Sequence, residues 1–181
     1  MKRANAFLLR VVMSYDDLLD QQQRQPEEFR TWLRGLVDHW QHHFDWRAQE
    51  ARLNAFAQFM VPIDGIELHY LHAPGQGPAP MPLLLSHGWP GSVIEFMGVI
   101  DRLTNPDDPA APAFHLVLPS LPGYGFSGKP KVTGWGVEKI GRAWGQLMAR
   151  LGYTRWVAQG GDWGSAVTTA IAVLLSLELA A

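Results

Sequence analysis

Apolar side chains recur three or four positions apart early in the chain, at Phe29, Leu33, Leu36, Val37 and Trp40. This spacing predicts one face of a helix. Pro26 suits the first helical position, and the two acidic residues that follow it suit the positive end of the helix dipole. A second helix is predicted from Asp45, as its N-cap, to Phe56. The signal is therefore helical up to about residue 56.

The hydrophobic period becomes that of strands from residue 59 onwards. Two strand-like runs, 59–63 and 66–71, flank the pair Asp64-Gly65. Because an Asp-Gly pair fits the tightest hairpin turns, this stretch predicts a β-hairpin.

Strands and helices alternate in the rest of the chain. Apolar runs predict strands at 83–85, 114–118 and 155–159, and helical spacing predicts helices at 92–103 and 140–151. This alternation predicts an α/β fold, with a mostly parallel sheet and helices on both faces. In such sheets the functional site lies at the carboxyl ends of the strands.

A Pro- and Gly-rich stretch, 73–82, marks the predicted boundary between two modules. Residues 1–72 form a predicted N-terminal module of helices and hairpin. Residues 83–181 form a predicted partial core that ends in the helix after Asp162. No internal repeat is visible.

A sharp turn between a strand and a helix is predicted at Gly160-Gly161-Asp162-Trp163-Gly164. It has the small-x-nucleophile-x-small form of a nucleophile elbow. The glycines fit a turn that is too tight for side chains, where the strand passes close to the helix.

The carboxylate of Asp162, at the tip of this turn, indicates attack on a saturated carbon. A serine that attacked such a carbon would leave an ether, whereas a carboxylate leaves an ester that water can cleave. The N–H groups of the helix that follows favour the ionised carboxylate. The alternative is an aspartate that caps a helix after a Gly-rich turn and has no chemical role.

A second turn, His87-Gly88-Trp89-Pro90, follows another predicted strand. Pro90 favours an extended conformation at Trp89, whose N–H is then free to point into the site. Together with the Trp163 N–H, it would form an oxyanion hole for ester hydrolysis. We expect His87 to support the site rather than act as the base, and Gly88 and Pro90 to lie beside it.

A third turn, 121–127, is glycine-rich and lacks the Gly-Lys-Ser/Thr of a phosphate-binding loop. We therefore expect it to be scaffold that lines the site, with Tyr124 among the lining residues. Gly161 is expected to line the site from the elbow.

Composition narrows the possible functions. The 181 residues are 47% hydrophobic, enough for a core, and the net charge of −2 with no basic block argues against a nucleic-acid partner. There is no cysteine, hence no disulfide. Residues 1–9 faintly resemble a signal peptide, but Arg10 interrupts the apolar stretch and no cleavage site is obvious, so we predict a cytoplasmic protein. The apolar tail is shorter than a membrane span.

Three histidines, His39, His42 and His43, invite a metal interpretation. No cysteine or carboxylate is recognised at ligand spacing beside them, so we predict neither a metal nor a cofactor.

Three motifs in order carry a resemblance to a known family: His-Gly-Trp-Pro-Gly-Ser at 87–92, Leu-Pro-Gly-Tyr-Gly-Phe-Ser at 121–127 and Gly-Gly-Asp-Trp-Gly at 160–164. Together they resemble the epoxide hydrolases of the microsomal or juvenile-hormone type, an α/β-hydrolase family. The stretch 45–69 resembles the N-terminal domain that marks this family. The resemblance implies detoxifying hydrolysis of a small-molecule epoxide to a vicinal diol by water, with Asp162 as nucleophile.

The same resemblance implies groups that this chain does not supply. The family has a tyrosine pair in a cap domain, and an acid and a histidine base, all downstream of the nucleophile. Here the last histidine is His115 and the last tyrosine is Tyr153, both before Asp162. We therefore expect a chain truncated at its C-terminus and inactive alone. The alternatives are a haloalkane dehalogenase-like hydrolase, which shares the Asp elbow, and a non-catalytic remnant.

Overall fold

The computed structural model describes residues 26–178, with side chains as far as residue 174. The stretch 1–9, compared above with a signal peptide, and the end of the apolar tail lie outside this description. By its internal contacts the chain divides into two compact units, Met1–Gln49 and Glu50–Ala181.

The first unit contains helix α1 (Pro26–His42) and the start of helix α2 (Trp46–Asn54). Both predicted helices are confirmed. Pro26 opens α1, with acidic residues in its first turn, and no described side chain of α1 is buried. The Asp45 carboxylate caps α2 by accepting the Ala48 N–H at 2.9 Å.

The second unit is built on a five-stranded sheet. In chain order its strands are β1 (Gln58–Ile63), β2 (Ile66–Ala73), β3 (Met81–Ser86), β4 (Phe114–Pro119) and β5 (Val157–Gly160). Their order in space is β1-β2-β4-β3-β5. Strand β3 pairs in parallel with β4 and with β5, whereas β2 pairs antiparallel with β1 and with β4. The carboxyl ends of three parallel strands therefore lie along one side of the sheet.

The predicted hairpin forms between β1 and β2. Asp64 and Gly65 both have positive φ, 48° and 83°, as a type I′ turn requires. The sequence pattern grouped this hairpin with the N-terminal helices, yet β2 is hydrogen-bonded to β4, with Tyr70 opposite Pro119. Four consecutive residues of β2, Leu68–Leu71, are buried. A strand buried on both faces fits inside a sheet, and here it makes the sheet a mixed one.

Helices cover both faces of the sheet. They are a 3₁₀-helix (Val93–Phe96), α3 (Ile100–Thr104), α4 (Val137–Arg150) and α5 (Trp163–Glu178). The prediction of one continuous helix over 92–103 is wrong. At its break the Val99 N–H donates to the Phe96 carbonyl at 2.9 Å, a three-residue step typical of 3₁₀ geometry. Gly98, next to this step, has a low helix propensity.

Alternate side chains of β3 and β4 enter two separate apolar cores. Leu84 and Val117 pack with α4 and α5 around the fully buried Trp144. Leu83 and Leu116 enter the opposite core, which contains residues of the 3₁₀-helix and α3. The predicted α/β layering is thus confirmed. Among the helices in the described part of the chain, none has the length and apolar character needed to cross a membrane.

Candidate active site

The elbow connects β5 to α5. Asp162 has a φ of 51°, a left-handed conformation that aspartate tolerates better than most residues. A Cβ on Gly160 would overlap the Gly164 carbonyl, and a Cβ on Gly164 would overlap the Ser86 carbonyl. Gly161 has open space around its Cβ position and no positive φ. The prediction that the turn needs all three glycines is therefore wrong for Gly161.

Backbone amides hold the Asp162 carboxylate. The Trp89 N–H donates to Asp162 Oδ1 at 2.7 Å. Hydrogen bonds from the N–H groups of Trp89 and Trp163 keep the pKa of Asp162 below its ordinary value of 3.8, and a smaller desolvation effect opposes them. The structure thus brings the Trp89 amide predicted from the sequence into hydrogen-bond contact with a solvent-exposed carboxylate, and the Trp163 amide helps to lower the pKa of the same group.

Gly88 lies directly against this carboxylate. A Cβ at Gly88 would come within 2.6 Å of Asp162 Oδ1. Glycine at this position therefore lets the turn approach closely enough for the Trp89 amide to reach its acceptor. The Trp89–Pro90 peptide bond is cis, and Pro90 is exposed.

His87 is fully buried directly after β3. Its Nε2 accepts the Leu121 N–H at 3.0 Å, and its Nδ1 lies 3.0 Å from the Gly88 carbonyl oxygen. Because a carbonyl only accepts, these partners assign the proton to Nδ1 and the lone pair to Nε2. Burial lowers the pKa of His87, although the Gly88 carbonyl and Glu95 act in the opposite direction. Neither nitrogen is free to take a proton from water.

The glycine-rich loop after β4 packs beside His87. Gly123 and Gly125 have positive φ, 85° and 51°, which lets the loop turn tightly. The half-buried ring of Tyr124 meets the His87 ring edge to face, with centroids 5.9 Å apart. Tyr124 therefore packs against the ring of His87, which belongs to the turn that contains Trp89.

In the part of the chain that the structure describes, the indole rings of Trp89 and Trp163 are exposed to solvent. Trp89 and Trp163 are 59% and 56% exposed, although the Trp89 amide holds the carboxylate. Exposed aromatic side chains beside an ionised carboxylate offer an apolar border on which a small organic molecule could pack.

The sequence reasoning missed a buried polar cluster below the glycine-rich loop. His69, only 3% exposed, bonds through its ring to the side chains of Ser120 and Gln58. The signal in the sequence was a histidine between apolar neighbours in a strand without polar alternation, because such a buried group needs specific partners.

The histidines at the end of α1 are exposed. The Asp38 carboxylate lies 2.9 Å from His42 Nδ1 and 4.0 Å from His43 Nε2, so the statement that no carboxylate lies at ligand spacing beside these histidines is wrong. Within residues 26–178, no group of three or more histidine, cysteine, aspartate or glutamate side chains could hold a metal ion.

A sharp strand-to-helix turn, with an amide of the loop after the adjacent parallel strand close to its tip residue, is the arrangement of the nucleophile elbow in α/β-hydrolases. The sheet and the elbow together define this class. Residues 81–175 match the α/β-hydrolase fold family, and residues 10–96 match the epoxide hydrolase N terminus. The chain belongs to the α/β-hydrolase family, and its N-terminal part is similar to the N-terminal domain of epoxide hydrolases.

Known relatives agree with this assignment. A Stigmatella aurantiaca protein whose name places it among epoxide hydrolases is 53% identical over 151 residues, which are 82% of this chain and 34% of that protein. Epoxide hydrolase 1 of Oryctolagus cuniculus is 39% identical over 80% of this chain and 33% of its own length. The crystal structure of juvenile hormone epoxide hydrolase from the silkworm Bombyx mori matches with a TM-score of 0.76 and 34% identity, over 81% of this chain and 39% of that one. The chain spans about a third of the length of the curated relatives it matches.

Proposed function

We propose that the reaction served by this site is hydrolysis of an epoxide to a vicinal diol, with Asp162 as the nucleophile. The observation that carries the proposal is the 2.7 Å hydrogen bond from the Trp89 N–H to Asp162 Oδ1, across 73 positions of sequence. An aspartate that only capped its own helix would bond to amides of that helix and would need no amide from a distant turn. The cap alone is therefore the weaker explanation.

In the first step, the carboxylate oxygen not held by Trp89 attacks an epoxide carbon. A new C–O bond forms, the ring C–O bond breaks, and the ring oxygen keeps the electron pair and takes up a proton. The resemblance assigns that proton to cap-domain tyrosines in the whole protein; with residues 1–181 alone the proton comes from water. The lowered pKa of Asp162 suits the step, because the carboxylate is ionised at neutral pH.

In the second step, water attacks Cγ of the Asp162 ester. Negative charge then develops on Oδ1, which already faces the Trp89 N–H, and the Trp163 N–H is the second donor. The bond between Cγ and the substrate-linked oxygen breaks, and that oxygen leaves as the second hydroxyl of the diol, with the proton that a base took from water. The other proton of water leaves the new carboxylic acid and restores the proton donor of the first step. Asp162 regains a carboxylate that now carries an oxygen from water.

The second step needs a base to take a proton from the attacking water. His87 does not fit this role, because it is buried and both ring nitrogens are bonded. The resemblance assigns the base and its acidic partner to positions downstream of the nucleophile. Since general-base catalysis contributes ~10²–10⁴-fold, we propose that residues 1–181 alone stop at the ester and do not turn over.

An epoxide is favoured over the alkyl halide of a haloalkane dehalogenase by the match of residues 10–96 to the epoxide hydrolase N terminus. The exposed indoles of Trp89 and Trp163 favour an apolar epoxide. Water is the second substrate, and the proposed reaction uses no cofactor.

The experiment is to incubate the chain with styrene oxide and record its intact mass. We expect one added substrate per chain in the wild type and none in Asp162→Asn. Asp64→Asn is the matched control, since Asp64 is also exposed and also has positive φ; it should react like the wild type. Equal labelling of Asp162→Asn and the wild type would reject Asp162 as the nucleophile and leave the non-catalytic alternative.

A further inference from the structure

A line of hydrogen bonds begins at Gln58 on the edge strand β1. The side-chain nitrogen of Gln58 donates to the Leu53 carbonyl at 3.3 Å, so that Oε1 faces His69 Nε2 at 3.0 Å. Because an amide oxygen only accepts, His69 carries its proton on Nε2. Its Nδ1 is then the acceptor for the Ser120 hydroxyl, 2.9 Å away.

The peptide group between Ser120 and Leu121 is bonded on both sides. Its carbonyl oxygen accepts the Ser127 hydroxyl at 2.7 Å, and its N–H donates to His87 Nε2 at 3.0 Å. The Ser120 N–H also donates to the His69 carbonyl at 2.9 Å. The side chains concerned are all buried. The peptide group therefore cannot rotate without leaving buried polar atoms unpaired, which is costly.

His87 connects this peptide group to the one between Gly88 and Trp89. Its Nδ1–H donates to the Gly88 carbonyl oxygen. The same peptide group carries the Trp89 N–H that donates to Asp162 Oδ1. Because a trans peptide group is planar, with its C=O and N–H pointing in opposite directions, the imidazole on one side sets the direction of the N–H on the other.

We propose that His69 is a positioning residue for the nucleophile: through Ser120 and His87 it holds the Gly88–Trp89 peptide group with its N–H aimed at Asp162. We call this line of bonds, from Gln58 to Asp162, the imidazole relay. Its expected effect on reaction rate rests on the proposed function, whereas its effect on the carboxylate does not.

The relay requires two neutral imidazoles with opposite tautomers. A second ring proton on His87 would point at the Leu121 N–H, donor against donor. A second ring proton on His69 would occupy the nitrogen that accepts from Ser120. Burial lowers the pKa of both histidines, which keeps them neutral near pH 7.

The first test uses the whole ¹⁵N-labelled chain without substitution. Long-range ¹H–¹⁵N spectra of the imidazoles should show a proton on Nε2 of His69 and on Nδ1 of His87. The opposite tautomer at either ring would overturn the relay, because a bond in the line would then have two donors or none.

The second test uses three substitutions and a matched control. Ser120→Ala removes one hydroxyl, and His69→Phe removes both ring nitrogens. His69→Asn keeps an acceptor close to the former Nδ1 and serves as the rescue. His72→Asn is the control, because His72 is a half-buried histidine of the same strand that bonds to Tyr153, outside the relay.

In Ser120→Ala and His69→Phe we expect the Trp89 amide proton to move upfield and the pKa of Asp162 to rise toward its ordinary value. The rate of ester formation with styrene oxide should fall roughly tenfold, because the misplaced Trp89 N–H no longer holds the attacking carboxylate in position. His69→Asn should recover most of each change. His72→Asn should lower thermal stability and move neither NMR signal.

A folded Ser120→Ala chain with an unchanged Trp89 amide shift and an unchanged Asp162 titration would overturn the positioning role. If those signals move as expected while the wild-type chain forms no ester, the proposed function fails and the positioning role stands.

Discussion

Two aspartates of this chain occupy left-handed turn positions, and their surroundings differ completely. Asp64, in the β1–β2 turn, has a φ of 48°, and Asp162, in the elbow, has a φ of 51°. Both are exposed. The Asp64 carboxylate accepts from the Gln146 side chain at 3.4 Å, a long bond between flexible groups. The Asp162 carboxylate accepts a backbone amide at 2.7 Å.

The space around the two turns differs in the same way. A Cβ on Gly65, beside Asp64, would meet no atom within 4 Å, whereas a Cβ on Gly88 would overlap Asp162. At Asp64 the positive φ serves only to close the hairpin turn. At Asp162 it also places the carboxylate against a second turn, the one that contains Gly88. The contact with the neighbouring turn, and not the conformation of the tip residue alone, therefore distinguishes the proposed nucleophile from Asp64.

The largest expected effect compares the glycines of the two turns. Gly164→Ala places a Cβ onto the Ser86 carbonyl and should lower the free energy of unfolding by about 3 kcal/mol or more. At Gly65 there is open space for a Cβ, and only the φ of 83° disfavours alanine. Gly65→Ala should therefore lower the free energy of unfolding by about 1–2 kcal/mol. Urea unfolding measures both. Equal losses would mean that the elbow is no more tightly packed than the hairpin turn.

The next effect is on reaction rate. Gly88→Ala pushes a methyl group into the Asp162 carboxylate and should slow ester formation with styrene oxide roughly a hundredfold, as expected for a misplaced reacting group. Gly161→Ala enters open space in the same site and should react at close to the wild-type rate. A fast Gly88→Ala variant would contradict the close approach of the two turns.

The pH dependence should follow the ionisation of Asp162. Its pKa in the folded chain lies below the ordinary value of 3.8, chiefly because of the Trp89 N–H. The ester-forming rate should therefore stay constant from neutral pH down to about 4 and fall only below that. A rate that already declined well above the ordinary carboxyl value would show that desolvation outweighs the amides.

The same ionisation contributes to stability. A carboxyl whose folded pKa is lowered adds stability above its unfolded pKa and loses it as the pH falls through the folded pKa. The difference in unfolding free energy between wild type and Asp162→Asn should therefore shrink on acidification below 3.8. A difference that grew on acidification would contradict the assigned direction.

The smallest effect is expected at the hairpin. Asp64→Asn should change the free energy of unfolding by less than ~0.5 kcal/mol, because Asn-Gly suits a type I′ turn as well as Asp-Gly does. Ester formation should be unchanged. A large loss in either measurement would remove the contrast between the two aspartates.

Elements that depend on local chemistry were predictable from the sequence. The Asp64-Gly65 turn, the Asp45 cap and the end of α4 before Gly152, with its φ of 82°, each follow from one or two residues. The strand–elbow–helix unit around Asp162 follows from its glycines and from the period change on either side.

Features that depend on distant contacts were not predictable. Local pattern did not give the break in the helix predicted over 92–103, because helix and 3₁₀ bonding differ little in what they require of the sequence. Nor could the sequence pair β2 with β4, since burial on both faces of a strand does not identify its partner. The hydrogen bond between the His69 and Ser120 side chains joins residues 51 positions apart. The periodicity of the sequence cannot predict a contact between such distant residues.

The central claim, that Asp162 is the nucleophile, is tested most directly by peptide mapping after reaction of the wild-type chain with styrene oxide. We expect a single adduct per chain, located by tandem mass spectrometry on Asp162, and released by hydroxylamine as an ester should be. We expect no diol in excess of the protein. An adduct on a histidine or on another carboxylate, or no adduct at all, would contradict the claim. Steady release of diol would instead contradict the proposal that residues 1–181 stop at the ester.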